Sequence, residues 1–310
     1  MRICLAGAGN MGMNHYRILR QLDVDVSVCD PDPASAGKLD GRIRHYGSLQ
    51  EALDGEKPDA VDICAPTSLH HELAMQAMEA GSDVFVEKPI ASNIEQARKM
   101  DGCAKRNGKM LFVGHIERFN PTVNVLKKEL EGKKGVMLHF TRVGPRPPQI
   151  KDAGVVLDVG IHDIDLASYL TGHEVKSVSC ASFGKDASED SAQMLLRMDG
   201  DSSAMITTNW HTPFKARRIE AVMEERLYVA DLLKGDVAAY FDYKHAPSPS
   251  FRVQHIPVPR TEPLLLELRS FVECAKARKS PPFGTGFAIS ALEAVEAARE
   301  SARTKQEVVL

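Results

Sequence analysis

The run Gly7-Ala8-Gly9-Asn10-Met11-Gly12 constrains this chain more than any other feature, because it stands between a short apolar run, Arg2-Ala6, and a stretch with helical spacing. In the pattern G-x-G-x-x-G the first glycine permits a tight turn, the second lets main chain approach a pyrophosphate, and the third lets helix and strand pack closely. The helix N-terminus then faces the anion. The natural setting of such a segment is a parallel sheet with crossover helices. Up to about residue 118 the sequence supplies that alternation, with strands predicted at Arg2-Ala6, Asp25-Cys29, Ala60-Ala65, Asp83-Glu87 and Met110-Val113, and a weaker one at Arg42-Tyr46. The clearest helix runs from Leu69 to Ala80, with Leu73, Ala74, Ala77 and Met78 at helical spacing and Gly81 as its C-cap.

After Asn120-Pro121 and one more helix the texture changes to longer strand-like runs separated by polar turns. These are Val136-Val143, Val175-Phe183, Ala192-Met198, Ala204-Trp210, Arg217-Met223, Leu227-Leu232 and Val237-Tyr243, and consecutive strands of this kind suggest a largely antiparallel sheet. Helices at Pro263-Arg278 and Phe287-Arg303 close the chain. The proline-rich pieces Gly144-Pro145-Arg146-Pro147-Pro148 and Pro247-Ser248-Pro249 read as loops.

The formal net charge is -3 with lysine and arginine spread along the chain, so no basic field exists to hold a phosphate backbone, and nucleic acid is not expected as a partner. Doublets such as Lys127-Lys128, Lys133-Lys134 and Arg217-Arg218 read as solvated surface. The six cysteines lack C-x-x-C spacing, and three of them lie in apolar strand-like runs, which fits small buried hydrophobes in a reducing, cytoplasmic compartment. The N-terminal apolar stretch is too short for a signal peptide and no run is long enough to span a bilayer, so a soluble protein without a membrane partner is expected.

Asp30 ends the second predicted strand, about where an acidic residue meets the adenosine ribose hydroxyls of a dinucleotide. A carboxylate there repels a 2′-phosphate, so NAD is expected over NADP; the turn-forming role of an aspartate before Pro31 is compatible with this. Glu87-Lys88-Pro89 follows the apolar run Val84-Phe85-Val86, and the proline favours an extended residue before it. Lys88 is thus expected at the carboxyl edge of the sheet, the ligand crevice of doubly wound folds, although an exposed strand-end lysine fits the same pattern. Further on, Asp158-Val159-Gly160-Ile161-His162 opens a predicted helix in which positions 158 and 162 share a face. Asp158 is placed to orient His162, whose ordinary pKa suits a general base; an N-cap aspartate and a packing histidine are the structural alternatives. Positions 162, 163 and 165 do not share one face, so no metal site is expected there.

The glycine loop, Glu87-Lys88-Pro89 and the element from Asp158 to His162 occur together and in order, and with them the chain resembles the glucose-fructose oxidoreductase/inositol dehydrogenase (Gfo/Idh/MocA) family over essentially its whole length. The resemblance includes Ala65-Pro66-Thr67-Ser68-Leu69-His70, similar to the family's nicotinamide-side loop. It implies an α/β protein with an N-terminal Rossmann doubly wound parallel sheet in residues 1–118. It also implies a C-terminal α/β domain in 119–310, for substrate binding and oligomerisation, with a large, mainly antiparallel open sheet that makes homodimers or homotetramers. It implies Lys88, Asp158 and His162 as the catalytic group, and NAD held by Gly7, Gly9, Asn10, Met11, Gly12, Asp30, Ala65, Pro66, Thr67, His70, Glu87 and Lys88.

A narrower resemblance lies in His115-Ile116-Glu117-Arg118-Phe119-Asn120-Pro121, the segment Arg142 to Pro148, and Gly154-Val155-Val156-Leu157-Asp158. It points to family members that oxidise the 3-hydroxyl of UDP-N-acetylglucosamine to a ketone, which a PLP-dependent aminotransferase then converts to an amine. Ala153-Gly154 departs from the glycine run that many members carry there. His115, Arg118, Asn120, Arg142 and Arg146 are the tentative substrate contacts, the guanidiniums because they pair bidentately with phosphate. Trp210 and His211 are further pocket candidates, with a core role favoured for the tryptophan. The alternatives are a free-sugar or inositol dehydrogenase, an NAD-dependent glycosidase, and a cofactor-sensing regulator without activity; retention of Lys88, Asp158 and His162 argues for an enzyme.

Overall fold

A strand buried on both faces needs small or apolar side chains at successive positions, and β1 (Arg2–Ala6) meets this with Ile3, Cys4, Leu5 and Ala6 all buried. Its partners are β2 (Asp25–Cys29), β3 (His45–Tyr46), β4 (Ala60–Ile63), β5 (Asp83–Glu87) and β6 (Leu111–Gly114). They form a six-stranded sheet in the order β3-β2-β1-β4-β5-β6, each pair parallel. This is the Rossmann order, whose ligand crevice lies at the carboxyl ends of the strands where the order reverses beside β1. The helices between strands are α1 (Asn10–Leu19), α2 (Leu49–Glu56), α3 (Thr67–Glu79) and α4 (Ile94–Asn107). Local chemistry sets their ends: Asn93 accepts the N–H of Gln96 to start α4, and Gly108, left-handed at φ +59°, ends it.

The computed structural model describes residues 1–39, 43–147, 153–184, 188–244 and 250–310. The proposed strand at Arg42-Tyr46 is confined to its last two residues, Arg42 being outside the described residues, as are Pro148 and Pro247-Ser248-Pro249 of the predicted loops. The chain divides into two compact units, one of Met1–Ile116 with Glu262–Ile289 and one of Glu117–Thr261 with Ser290–Leu310.

The second unit begins with α5 (Pro121–Leu130), capped by the Asn120 side chain, and contains α6 (Ile161–Thr171). Its strands are β7 (Met137–Pro145), β8 (Val175–Phe183), β9 (Ser191–Met198), β10 (Ser203–Asn209), β11 (His211–Met223), β12 (Arg226–Asp231), β13 (Asp236–Lys244), β14 (Ser250–Ile256) and β15 (Val308–Val309). They form a nine-stranded sheet in the order β14-β13-β12-β11-β7-β10-β9-β8-β15, antiparallel apart from the β7–β10 pair. Alternation along β7 and β10 buries Leu138, Phe140, Ala204 and Ile206 on one face. On the other, Met137, Met205 and Val222 are exposed.

The first unit also contains α7 (Pro263–Ala277), so the boundary expected once at residue 118 becomes a departure at 116 and a return over 262–289. The cause is aromatic packing. Phe271 meets Phe85 edge-on at 5.4 Å and Phe112 at 5.7 Å, and Leu268 and Val272 complete a buried stripe. The last helix, α8 (Thr285–Thr304), runs across the division between units. No described helix is long and apolar enough to cross a membrane. All six cysteines are free, with Cys4, Cys29 and Cys103 buried.

Candidate functional site

The three motif glycines differ in what would happen if each carried a side chain. Gly7 is at φ +99°, and a Cβ on it would come within 2.9 Å of the Ala65 nitrogen. A Cβ on Gly12 would lie 1.9 Å from the Gly7 carbonyl oxygen. Both are required by the fold itself. Gly9, in contrast, has ordinary backbone angles at the N-cap of α1, and a Cβ there would meet nothing within 4 Å. The protein leaves that space clear, which is what main chain needs where a pyrophosphate approaches. Asn10 and Met11 follow in the first turn of α1, whose N-cap makes no side-chain hydrogen bond. Asp30 stands at the end of β2, where Oδ2 accepts the Ala8 N–H at 2.6 Å and Oδ1 accepts the Asp32 N–H at 2.9 Å. The acid therefore shapes the loop as well as ending the strand.

Ala65-Pro66-Thr67 leads from β4 into α3, with Pro66 at the N-cap. His70 is buried between two loops, with Nδ1 2.9 Å from the Pro89 carbonyl oxygen and Nε2 2.9 Å from that of Ala65. Burial holds its pKa down despite those two carbonyls. Lys88 precedes a cis Pro89, is half-buried, and donates its main-chain N–H to Glu87 Oε2 at 3.0 Å. Glu87 Oε1 in turn lies 3.1 Å from His15 Nε2, and Asp62 Oδ2 lies 2.9 Å from His15 Nδ1. Burial opposes a charge on His15, but the Asp62 carboxylate overcomes it and raises the pKa well above 6.5. Burial likewise opposes ionisation of Glu87, yet its hydrogen bond to His15 and the charges of His15 and Lys88 leave it below the usual carboxylate value. The sequence reading did not select His15 or Asp62, though a signal existed: Asp62 interrupts the apolar strand Ala60–Ile63, and His15 shares the buried face of α1 with Ile18 and Leu19.

In the second unit the helix expected to open at Asp158 begins as a π-helical turn, Val156–Gly160, in which the Ile161 N–H reaches back to the Val156 carbonyl before α6 continues. Such widened turns recur at functional sites. Asp158 donates its N–H to Gly154 at 3.0 Å, and Asp158 and His162 are both half-buried. Gly154, where the glycine run is lacking, lies against the end of the Glu189 side chain: a Cβ there would sit 2.3 Å from the carboxylate, so a side chain at 154 would require Glu189 to move.

The tentative substrate residues separate into two groups. Arg118 is buried and grips Asp165 through two parallel bonds, Nε to Oδ2 at 2.8 Å and Nη2 to Oδ1 at 2.7 Å. Arg142 is equally buried, bonded to Asp163 Oδ1 at 2.7 Å and Glu117 Oε1 at 2.7 Å, and Asn120 donates to Glu117 Oε2 at 2.9 Å. Burial is offset at Glu117 by Arg142, which leaves its pKa below the usual value, whereas at Asp163 burial prevails and the pKa is raised. Arg118 and Arg142, expected to meet a diphosphate or uracil, spend their charge on carboxylates of their own unit, and Asn120 is engaged with one of the same carboxylates. Arg146 differs: its side chain is 42% exposed, pairs with Asp190 at 2.9 Å and lies over the Trp210 ring at 4.9 Å. Trp210 is buried, His115 is buried, and His211 is exposed.

Comparison with known proteins bears on both units. Residues 1–115 match the oxidoreductase family, NAD-binding Rossmann fold, of Gfo/Idh/MocA, and residues 135–229 match the Gfo/Idh/MocA C-terminal domain. UDP-N-acetylglucosamine 3-dehydrogenase from Acidithiobacillus ferrooxidans is 28% identical over 93% of this chain and 92% of its own length. Myo-inositol 2-dehydrogenase from Thermotoga maritima is 26% identical over 100% of this chain and 98% of its own. A solved structure of the Acidithiobacillus enzyme superposes with a TM-score of 0.89 at 25% identity, covering 98% of each chain.

Proposed function

Because the chain belongs to the Gfo/Idh/MocA family and is an NAD-dependent dehydrogenase of CH–OH groups, we propose that it oxidises the 3-hydroxyl of UDP-N-acetylglucosamine to give a UDP-3-keto sugar. The observation that carries this reading is the likeness to UDP-N-acetylglucosamine 3-dehydrogenase, which runs through 93% of the chain and so spans both units.

Oxidation of a secondary alcohol removes a proton from oxygen and a hydride from carbon. NAD, held by the loop from Gly7 to Gly12 and by Asp30, supplies the hydride acceptor. His162 takes the hydroxyl proton, and Asp158 orients its ring. Lys88 meets the alkoxide as it forms, a charge that a fixed cation in a water-poor site stabilises well. Arg146 is our candidate for the diphosphate, because its guanidinium is the exposed one among the three arginines singled out. The ketone product is higher in energy than the alcohol and calls for a consuming step, which a PLP-dependent aminotransferase would provide. The open face bearing Met137, Met205 and Val222 is our candidate surface for a homodimer or homotetramer. Six free cysteines fit a reducing compartment, and we place the enzyme in the cytoplasm.

The test is incubation with NAD and UDP-N-acetylglucosamine, with and without an aminotransferase, followed by nicotinamide absorbance and competition by UDP. NADH formation that UDP inhibits supports the reading. One observation favours a second reading, a free-sugar or inositol dehydrogenase: Arg118 and Arg142 are bound to carboxylates, and a substrate without phosphate would not need them. Turnover of inositol with no effect of UDP would select that alternative.

A further inference from the structure

Behind Lys88 lies a buried polar chain that the reaction scheme leaves unused. It begins at Asp62 in β4, passes through His15 in α1, and reaches Glu87 at the end of β5, whose second carboxylate oxygen accepts the Lys88 main-chain N–H at 3.0 Å. His15 and Asp62 are wholly inaccessible to solvent and Glu87 nearly so. On the other side of the lysine, His70 approaches the Pro89 carbonyl oxygen at 2.9 Å and ties it to Ala65. Glu87-Lys88-Pro89 is thus gripped by a buried imidazole before and after the lysine.

Carboxylates only accept hydrogen bonds, so a ring lying between two of them can bond to both only when each nitrogen carries a proton. Take that cation away, and Asp62 and Glu87 both lose the buried charge that lies between them, leaving Glu87 with the charge of Lys88. The Phe85 ring, edge-on to His15 at 5.3 Å, fixes the plane of the imidazole. Buried ionic groups of this sort are weak evidence for stability, which directs attention to what they hold in place. The ligand atoms of His15, Asp62 and Cys64 lie within 4.8 Å of one another, as a metal site would need. Both His15 nitrogens are already hydrogen-bonded to carboxylates, however, and burial pushes the Cys64 thiol far above its ordinary pKa, so protons fit this cluster better than a metal ion.

We infer that His15 and Asp62 are positioning residues for Lys88: they fix Glu87, Glu87 fixes the lysine main chain, and His70 clamps the far side. The inference builds on the reading of Lys88 as the cation that meets the alkoxide, and it is tested by a measurement that does not need that reading. Reductive methylation of the full chain with formaldehyde and cyanoborohydride, followed by peptide mass spectrometry, gives the reactivity of Lys88 relative to the exposed Lys99 in the same sample. His15→Gln is the main variant, and Asp62→Asn, which keeps the side-chain volume, is the milder one. The Lys88-to-Lys99 ratio is expected to change by at least about 3-fold, because the access of reagent to the amine follows the placement of the main chain that carries it. In the same variants kcat is expected to fall on the order of 10- to 100-fold, as small displacements of a catalytic group do, with the Kd for NAD within about 3-fold of native. A native labelling ratio and native kcat in folded His15→Gln or Asp62→Asn protein would overturn the inference. Lys88→Met serves as the separate check: full turnover in that variant removes the catalytic role of Lys88, while the labelling ratio still decides whether His15 positions it.

Discussion

The main-chain N–H of Ala8 donates to Asp30 Oδ2 at 2.6 Å, so the acid at the end of β2 is built into the glycine loop that precedes α1. One carboxylate therefore shapes the glycine loop and, in the proposed cofactor site, would also repel a ribose 2′-phosphate. Asp30→Ala removes both effects. We expect weaker NAD binding together with a fall of about 10-fold or more in the preference for NAD over NADP, since each 1.4 kcal/mol of lost discrimination is roughly tenfold. Measurement of kcat/KM with each cofactor checks this, and an unchanged ratio would deny Asp30 its discriminating role.

The glycines give a contrast within a single turn. In Gly12→Ala the new methyl would meet the Gly7 carbonyl at 1.9 Å, so the loop cannot close and the first unit loses stability. In Gly9→Ala the methyl meets no protein atom within 4 Å, so the melting temperature is expected to stay native while NAD affinity falls by about 10-fold or more through obstruction of the pyrophosphate. Thermal unfolding and NAD titration of the two variants separate the glycine that folding needs from the one the ligand needs.

His15 makes stability depend on pH in a definite direction. Its pKa in the folded chain is raised well above the ordinary 6.5, because the Asp62 carboxylate outweighs burial. A group whose folded value exceeds its unfolded value contributes stability fully below the unfolded value and loses it as pH rises through the folded one. Glu87 acts in the opposite sense: its folded value is depressed, so its contribution is present above the unfolded carboxylate value and lost as pH falls through the folded one. The native protein is therefore expected to lose stability into the alkaline range by an amount that His15→Gln, less stable throughout, no longer shows. Denaturant melts of both proteins across that range measure the difference.

Arg118 and Asp165 form a bidentate pair, and both are buried. Removal of one partner leaves an uncompensated charge, so Arg118→Ala is expected to destabilise the second unit by about 3–5 kcal/mol. Replacement of both by apolar residues of similar volume costs less, since the desolvation penalty disappears along with the attraction. Chemical denaturation of the single and double variants provides the comparison.

Periodicity and burial explain which parts of the fold were legible in the sequence. The limits of β1, β2 and β5 follow from the apolar runs that a doubly covered strand requires. Ser250–Ile256 gave no such signal, because β14 is an edge strand whose residues are almost all exposed, and Val308–Val309 is only two residues long. The amphipathic pattern of α7 announced a helix but could not say that its buried stripe would meet Phe85 and Phe112, far away in the chain. The site divides similarly. Gly7 and Gly12 were legible because they fall in a short motif of fixed spacing, while Arg118 and Arg142 were not, because an arginine in a sequence gives no hint of which distant carboxylate will claim it. His15 and Asp62 were visible as polar residues in apolar surroundings, and their mutual contact is what gives them meaning.

The most direct measurement of the central claim uses UDP-N-acetylglucosamine deuterated at carbon 3 of the sugar. The account predicts that the deuterium appears in the NADH formed, and that His162→Ala lowers the rate of that transfer by about 100- to 10,000-fold, the usual worth of general-base catalysis. NADH formed without deuterium, or transfer at the native rate by the His162→Ala variant, would contradict it.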